Sequence, residues 1–225
     1  MGRPLRVNVG GIVYHALNRG NGQATIFHCD EDYRTFEQVL DQAIERFPSV
    51  RLISYCLMPT HWHLILWPRQ DGELTRFLQW LTLTHTQRWH AAHPEFGNGH
   101  LYQGRFKSFP VQEDDHVLRL CRYIERNPLR AGLVRKAENW LWSSLRRRQN
   151  GAETLSLPPV PWPVDWPELV QRTQAPAVEA AIRMCIQRGQ PYGGPIWTKR
   201  TAARLGLAST LRPRGRPPKV RERST

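Results

Sequence analysis

The 225-residue chain has few cysteines, few acidic residues and no long apolar run. Its four cysteines stand apart without a Cys-x-x-Cys spacing, which argues against a zinc site and favours reduced, packed thiols. No apolar stretch approaches the roughly 20 residues needed to cross a bilayer. The sequence also lacks a Gly-x-x-x-x-Gly-Lys-[Ser/Thr] phosphate loop. A membrane protein and an NTP-driven motor are therefore disfavoured.

Basic residues are in large excess. Lysine and arginine total 32 against 19 acidic residues, giving a net charge of +13. A polyanionic partner is the first expectation, and nucleic acid fits it best. The first residues, Met1 to Val7, carry charge without an apolar segment behind them. This pattern predicts a cytoplasmic, nucleoid-associated protein rather than a secreted one.

Two histidines flank a tryptophan within a β-rich segment, Leu52 to Trp67. Because side chains alternate faces along a strand, His61 and His63 should point one way and Trp62 the other. Two imidazoles on one face can chelate a metal. The alternative is that one or both are ordinary exposed strand residues, which a bare His-x-His motif leaves open.

A second segment some sixty residues later has the spacing of a helix. Its apolar positions recur every three or four residues, at Val117, Leu120, Cys121 and Ile124. They leave Tyr123 and Asn127 four residues apart on another face, one helical turn from each other. Pro128 disfavours α geometry at the residue before it, so this relation requires the last turn to survive.

The histidine pair on a strand and the Tyr-x-x-x-Asn pattern on a helix resemble the HUH single-tyrosine transposases, in particular the REP-associated tyrosine transposase family. The resemblance covers roughly residues 10 to 148. Four stretches carry it: Tyr14-His-Ala-Leu-Asn-Arg-Gly20, Tyr55-Cys-Leu-Met-Pro-Thr-His-Trp-His63, Gly104-Arg-Phe-Lys-Ser108 and Tyr123-Ile-Glu-Arg-Asn-Pro-Leu-Arg-Ala-Gly-Leu-Val134.

The resemblance implies that His61 and His63 are metal ligands, Tyr123 is the nucleophile, and Asn127 is a third ligand or a partner of the metal site. Two imidazoles and an amide oxygen, with open coordination positions, suit Mg²⁺ or Mn²⁺ better than a closed zinc site. The implied substrate is single-stranded, REP-like hairpin DNA, cut and joined by a monomer through a 5′-phosphotyrosine intermediate.

The order of predicted elements indicates an α+β fold, an antiparallel sheet with helices on one face, and the resemblance implies a ferredoxin-like HUH domain. We expect a strand over 11–19, a helix capped by Asp30, paired strands over 51–57 and 61–67, a helix from Glu73, a strand over 101–111 and a helix from about Asp114. Pro59, at the joint of the paired strands, predicts a break or bulge beside the histidines.

Composition divides the chain into four parts. Residues 1–150 form the predicted HUH domain, 151–175 a proline-rich extended tether, 176–208 a small helical region, and 209–225 a basic tail that resembles an AT-hook. The last 27 residues hold nine lysines or arginines and one acid. Such a tail should add salt-dependent affinity for DNA.

Several polar and basic positions are predicted to bind DNA. Asn18 and Arg19 precede a glycine-rich turn, and Arg105 and Lys107 should share one strand face. Four arginines at helical spacing predict a basic stripe beside Tyr123, and three more lie in the tail: Arg119, Arg122, Arg126 and Arg130, then Arg212, Arg214 and Arg216. A plain surface turn and solvated outer faces are the alternatives. His85 and His90 are expected to be solvated or to face DNA.

Two other functions fit the same residues. A non-catalytic DNA-binding protein would use the basic residues to hold hairpins and retain the His and Tyr positions without using them. A metal hydrolase would use water rather than Tyr123 as its nucleophile. Incubation with DNA distinguishes these functions. A tyrosine transposase yields protein-linked 5′ ends, a DNA-binding protein yields no cleavage, and a metal hydrolase yields free 5′-phosphates.

Overall fold

The core of the protein is a four-stranded antiparallel sheet. A computed structural model describes residues 7–97, 99–151 and 154–212. The strands lie in the order β2-β3-β1-β4, and every neighbouring pair is antiparallel. Their bounds are Val13–Arg19 (β1), Val50–Met58 (β2), His61–Pro68 (β3) and Lys107–Val111 (β4).

Helices cover both faces of this sheet. Helix α1 (Asp30–Arg46) connects β1 to β2, and α2 (Glu73–Ala92) connects β3 to β4. The resulting β-α-β-β-α-β order is that of a ferredoxin-like fold, so the predicted fold class is confirmed. Trp62, Leu64 and Leu66 point into one core together with residues of α1 and α2.

The other face carries helix α3 (Asp115–Glu125). Ile65 of β3 belongs to the core beneath it, together with Val117 and Ile124 of α3. The expectation that all helices share one face is therefore wrong. The apolar run Leu64-Ile-Leu66 of β3 is the pattern of a strand covered on both faces, and the one-face expectation did not take it into account.

Local boundaries differ from expectation in three places. Pro59 and Thr60 lie in neither strand and interrupt the chain directly before His61, so the expected break is confirmed, but it takes the form of a tight connection without a bulge. The register shifts instead between Leu52 and Ser54. Asp30 is the first residue of α1 rather than its cap, and Arg105 precedes β4 rather than lying in it.

Short helices complete the described chain. They are α4 (Asn127–Arg130), α5 (Ser144–Gln149), α6 (Trp166–Gln171), α7 (Pro176–Arg188) and α8 (Pro195–Arg204). Helix α6 lies within the predicted tether, and its Trp166 is buried in the α3 core, so this part of the tether is folded. Arg212 is exposed, whereas Arg214 and Arg216 lie outside the described residues. No helix in the described ranges is long and apolar enough to span a bilayer.

Candidate active site

The two histidines of the His-Trp-His motif lie at the beginning of β3, a central strand. Their rings face the α3 side of the sheet, with ring centroids 5.0 Å apart and planes almost perpendicular. Trp62 is fully buried in the core on the other side. The predicted alternation is therefore confirmed, and the two imidazoles share one face.

Each of these histidines already has a partner on its Nδ1 atom. His63 Nδ1 lies 2.9 Å from His15 Nε2, and His61 Nδ1 lies 3.0 Å from Thr60 Oγ1. Among the described residues, neither Nε2 atom has a hydrogen-bond partner. Outer partners of this kind fix the orientation of metal-binding imidazoles and leave the second nitrogen for the metal.

His15 is a site residue that the sequence analysis missed. It is fully buried on β1 and stacks on His63, with ring centroids 5.0 Å apart. The sequence did predict that His15 lies in the first strand. Its contact with His63 depends on the antiparallel pairing of β1 with β3, which the sequence does not specify.

Burial keeps both candidate ligands neutral. Desolvation lowers the pKa of His61 to about 4, and the charges of Arg130 and Arg19 act in the same direction. Desolvation, followed by His61, His15 and Arg130, holds the pKa of His63 well below its usual value. A neutral imidazole is the form that binds a metal, so neither group needs to lose a proton at neutral pH.

Tyr123 and Asn127 lie on consecutive helical turns, as the spacing predicts. Helix α3 begins after Asp114, whose side chain accepts a hydrogen bond from the His116 amide. The chain stays helical through the proline, since the Ala131 amide donates to the Asn127 carbonyl at 2.9 Å. Tyr123 is only 4% exposed and Asn127 5%.

Arg130 links the two halves of the site. Its guanidinium carbon lies 4.2 Å from the centroid of the Tyr123 ring, and its Nη2 donates to Asn127 Oδ1. Its charge also acts on both His61 and His63. Arg130 was predicted as part of a basic stripe beside Tyr123. It does lie beside that tyrosine, and it also contacts the Asn127 amide.

These donors fit a divalent cation with open coordination positions. The described residues include no group of three or more His, Cys, Asp or Glu that could hold a metal, so a third protein donor would come from another type of residue. Asn127 offers one, because its Oδ1 keeps a second lone pair beside the bond from Arg130. That His61, His63 and Asn127 together bind a metal stays a prediction.

Four predicted DNA-binding residues line a cleft of about 730 Å³ beside the histidines: Asn18, Arg19, Arg105 and Lys107. Arg19 of β1 pairs in register with His61, so the cleft opens at the same end of the sheet. The Asn18 amide is already used within the protein, donating to the Gly104 carbonyl and accepting from the Arg19 amide. Arg19 donates its Nε to Gln103 Oε1, and together with Arg105 and Lys107 it supplies the positive charge of the cleft.

The other arginines of the predicted stripe, on α3 and directly after it, do not form a continuous basic surface. Arg122 donates to the carbonyls of Arg172 and Thr173, and Arg126 donates to that of Arg172. These bonds tie the end of α6 to α3. Arg119 alone among the α3 arginines is exposed.

His85 lies in the core instead of facing solvent or DNA. It is 1% exposed, and its Nδ1 lies 2.7 Å from the Tyr102 hydroxyl. The expectation of a solvated or DNA-facing residue is wrong, since a single polar side chain within a helical pattern does not show whether it will find a buried partner.

A ferredoxin-like sheet with two histidines on a central strand, and a tyrosine on the helix across from it, defines the class of HUH domains. The chain belongs to the IS200-like transposase family, whose model matches residues 8–127. The matched span ends at Asn127 and contains His61, His63 and Tyr123.

Individual relatives agree with this assignment. A REP-associated tyrosine transposase from Haemophilus influenzae is 22% identical over 120 residues, which cover 50% of this chain and 68% of the relative. A solved REP-associated tyrosine transposase bound to a REP hairpin shares the fold, with a TM-score of 0.56, 18% identity, and coverage of 79% of this chain and 96% of that one. The predicted resemblance to this family is thereby confirmed.

Proposed function

We propose that the protein is a metal-dependent endonuclease and strand transferase that acts on single-stranded, REP-like hairpin DNA as a monomer. One observation carries the proposal. Arg130 contacts the ring of Tyr123 and the amide of Asn127, and its charge acts on both histidines. Arg130 thus relates the proposed nucleophile and the amide, which it contacts, to the two proposed histidine ligands, on which its charge acts.

Each residue has a distinct role in this proposal. His61, His63 and Asn127 hold Mg²⁺ or Mn²⁺, which when bound supplies Lewis-acid stabilisation of the scissile phosphate. His15 and Thr60 orient the two imidazoles. Arg130 adds a positive charge beside the phosphate that Tyr123 attacks. Arg19, Arg105 and Lys107 hold neighbouring phosphates of the same strand in the cleft.

The chemical step conserves a phosphodiester-type bond. The Tyr123 hydroxyl oxygen forms a bond to phosphorus while the bond from phosphorus to the 3′ oxygen breaks. The phenolic proton passes to water, and the departing 3′ oxygen takes up a proton. The products are a 5′-phosphotyrosine and a free 3′-hydroxyl, so the reverse reaction can join a strand without a high-energy cofactor.

The test is an adduct assay with a single-stranded hairpin labelled on the 5′ and 3′ sides of the expected cut. Protein and Mn²⁺ should convert one labelled fragment into a protein-linked species on a denaturing gel. EDTA, or His61→Ala combined with His63→Ala, should abolish the adduct and leave most hairpin binding, because affinity comes largely from cations on other phosphates.

A matched control replaces two exposed histidines outside the site. His28→Ala combined with His100→Ala should leave adduct formation intact. Binding without cleavage would favour a non-catalytic hairpin-binding protein, and release of free 5′-phosphates would identify water as the nucleophile. Undiminished cleavage in EDTA would refute the metal dependence.

A further inference from the structure

A carboxylate with no exposure to solvent lies on the same helix as the proposed nucleophile. Glu125 is 0% exposed. Its Oε1 accepts hydrogen bonds from Ser54 Oγ at 2.7 Å and Ser144 Oγ at 2.5 Å, and it forms an ion pair with Arg148 Nη2. Its Oε2 accepts a hydrogen bond from Trp166 Nε1 at 2.8 Å. Glu125 therefore has four donors.

These donors come from three elements besides α3. Ser54 belongs to β2, Ser144 and Arg148 to α5, and Trp166 to α6. Ser54 also lies at the register shift of β2. Such irregularities in a strand commonly redirect a side chain. The sheet, the catalytic helix and two later helices therefore meet at one carboxylate.

We infer that Glu125 is a positioning residue that sets the place of Tyr123 over the histidines, an inference that rests on the proposed function. Residues two apart on a helix point to roughly opposite sides, so Glu125 does not touch the reacting atoms. It acts through the helix. A helix moves as a rigid unit, so the point that fixes α3 against β2 also fixes the Tyr123 oxygen two residues away.

The polar contacts of Glu125 are better suited to fixing the position of α3 on the sheet than to stabilising the fold. A buried ion pair contributes little net stability, because removing the charges from water offsets much of their attraction. Apolar side chains would hold these elements together at least as well. A carboxylate with four directional donors allows a single arrangement of α3 on the sheet, and in-line attack on a phosphate requires this accuracy.

The test compares three variants in the first turnover, with labelled hairpin in saturating excess over protein, so that each folded molecule can form one adduct. Glu125→Gln keeps the size of the side chain but loses the ion pair. Ser54→Ala removes the hydrogen bond from the sheet to Glu125, together with the contact between the Ser54 and Ser144 hydroxyls, and keeps the ion pair of Glu125. Asp41→Asn is the matched control, because it breaks the ion pair of Arg147, the neighbour of Arg148, with helix α1 and leaves α3 untouched.

Two quantities separate positioning from stability. The amplitude of adduct formation reports the folded fraction, and the rate constant reports the reactivity of each folded molecule. Glu125→Gln should lower the rate constant by about 100-fold, the cost of misplacement by about 1 Å, with hairpin affinity unchanged. Ser54→Ala should lower it less, in the same direction. Asp41→Asn should lower only the amplitude, or nothing.

The outcomes distinguish this inference from the proposed function. If the wild-type protein forms no adduct, both fail. If it forms the adduct and Glu125→Gln matches Asp41→Asn in rate constant, Glu125 is structural and only the inference fails. If Glu125→Gln does not fold, Ser54→Ala decides, and a wild-type rate constant in that variant overturns the inference.

Discussion

Divalent metal should bind between His61 and His63 with an affinity that hardly changes from pH 7 to pH 5. Metal competes with protons for an imidazole, so the pKa of each ligand sets where affinity begins to fall. Burial places the pKa of His61 at about 4 and holds that of His63 well below its usual value. Both ligands should therefore remain unprotonated at pH 5.

The size of the effect follows from the proton equilibrium. An imidazole with an ordinary pKa of about 6.5 is roughly 97% protonated at pH 5, which weakens metal binding about 30-fold, and two such ligands weaken it about 1,000-fold. With a pKa of about 4, His61 is only about 10% protonated at pH 5. The expected loss is thus about twofold or less.

Mn²⁺ is a suitable probe, because the electron paramagnetic resonance signal of the free ion measures binding directly. Titrations at pH 7 and pH 5 should use constant ionic strength. The His61→Ala, His63→Ala double variant measures binding elsewhere on the surface, which is subtracted. A drop in affinity of 100-fold or more at the site would refute the argument, since the histidines would then be solvated.

Three further outcomes are expected. Tyr123→Phe should bind hairpin but form no adduct. Asn127→Ala should reduce adduct formation less, because water or phosphate can replace one metal ligand. Mass spectrometry that locates an adduct on another tyrosine would contradict this prediction. Lys107→Ala should weaken hairpin binding and reduce its salt dependence, and Arg122→Ala should do neither, as measured by fluorescence anisotropy. Deleting residues 213–225 removes five cations and should lessen the slope of log K against log salt by at most about 3.5, at about 0.7 per contact on a single strand; an unchanged slope would show that this segment does not touch DNA.

The features that the sequence predicted well are periodic and local. Alternation along β3 was sufficient to assign His61 and His63 to one face, and helical spacing was sufficient to place Tyr123 one turn from Asn127. Both depend only on backbone geometry within a single element. The family resemblance then supplied the relation between the two segments, which neither period contains.

The features that the sequence did not reveal are contacts between elements distant in the chain. His15 touches His63 across 48 residues, and Glu125 meets Ser54 across 71. Neither pair has a local signature. The same reason accounts for His85, since the Tyr102 hydroxyl that its Nδ1 contacts lies beyond the end of its own helix.

The four arginines on α3 and directly after it show how unpredicted contacts between distant elements change the expected DNA-binding surface. Helical spacing predicted that Arg119, Arg122, Arg126 and Arg130 form one basic stripe. In the structure, Arg122 and Arg126 donate to backbone carbonyls near the end of α6, and Arg130 lies over the Tyr123 ring. A DNA strand that ran along α3 would contact few unpaired arginine side chains. The cations of the cleft lie at the other side of the histidines, where β1 and β4 meet. We therefore expect the strand to approach Tyr123 from the β1–β4 side, with the helical surface of α3 facing the C-terminal helices rather than DNA.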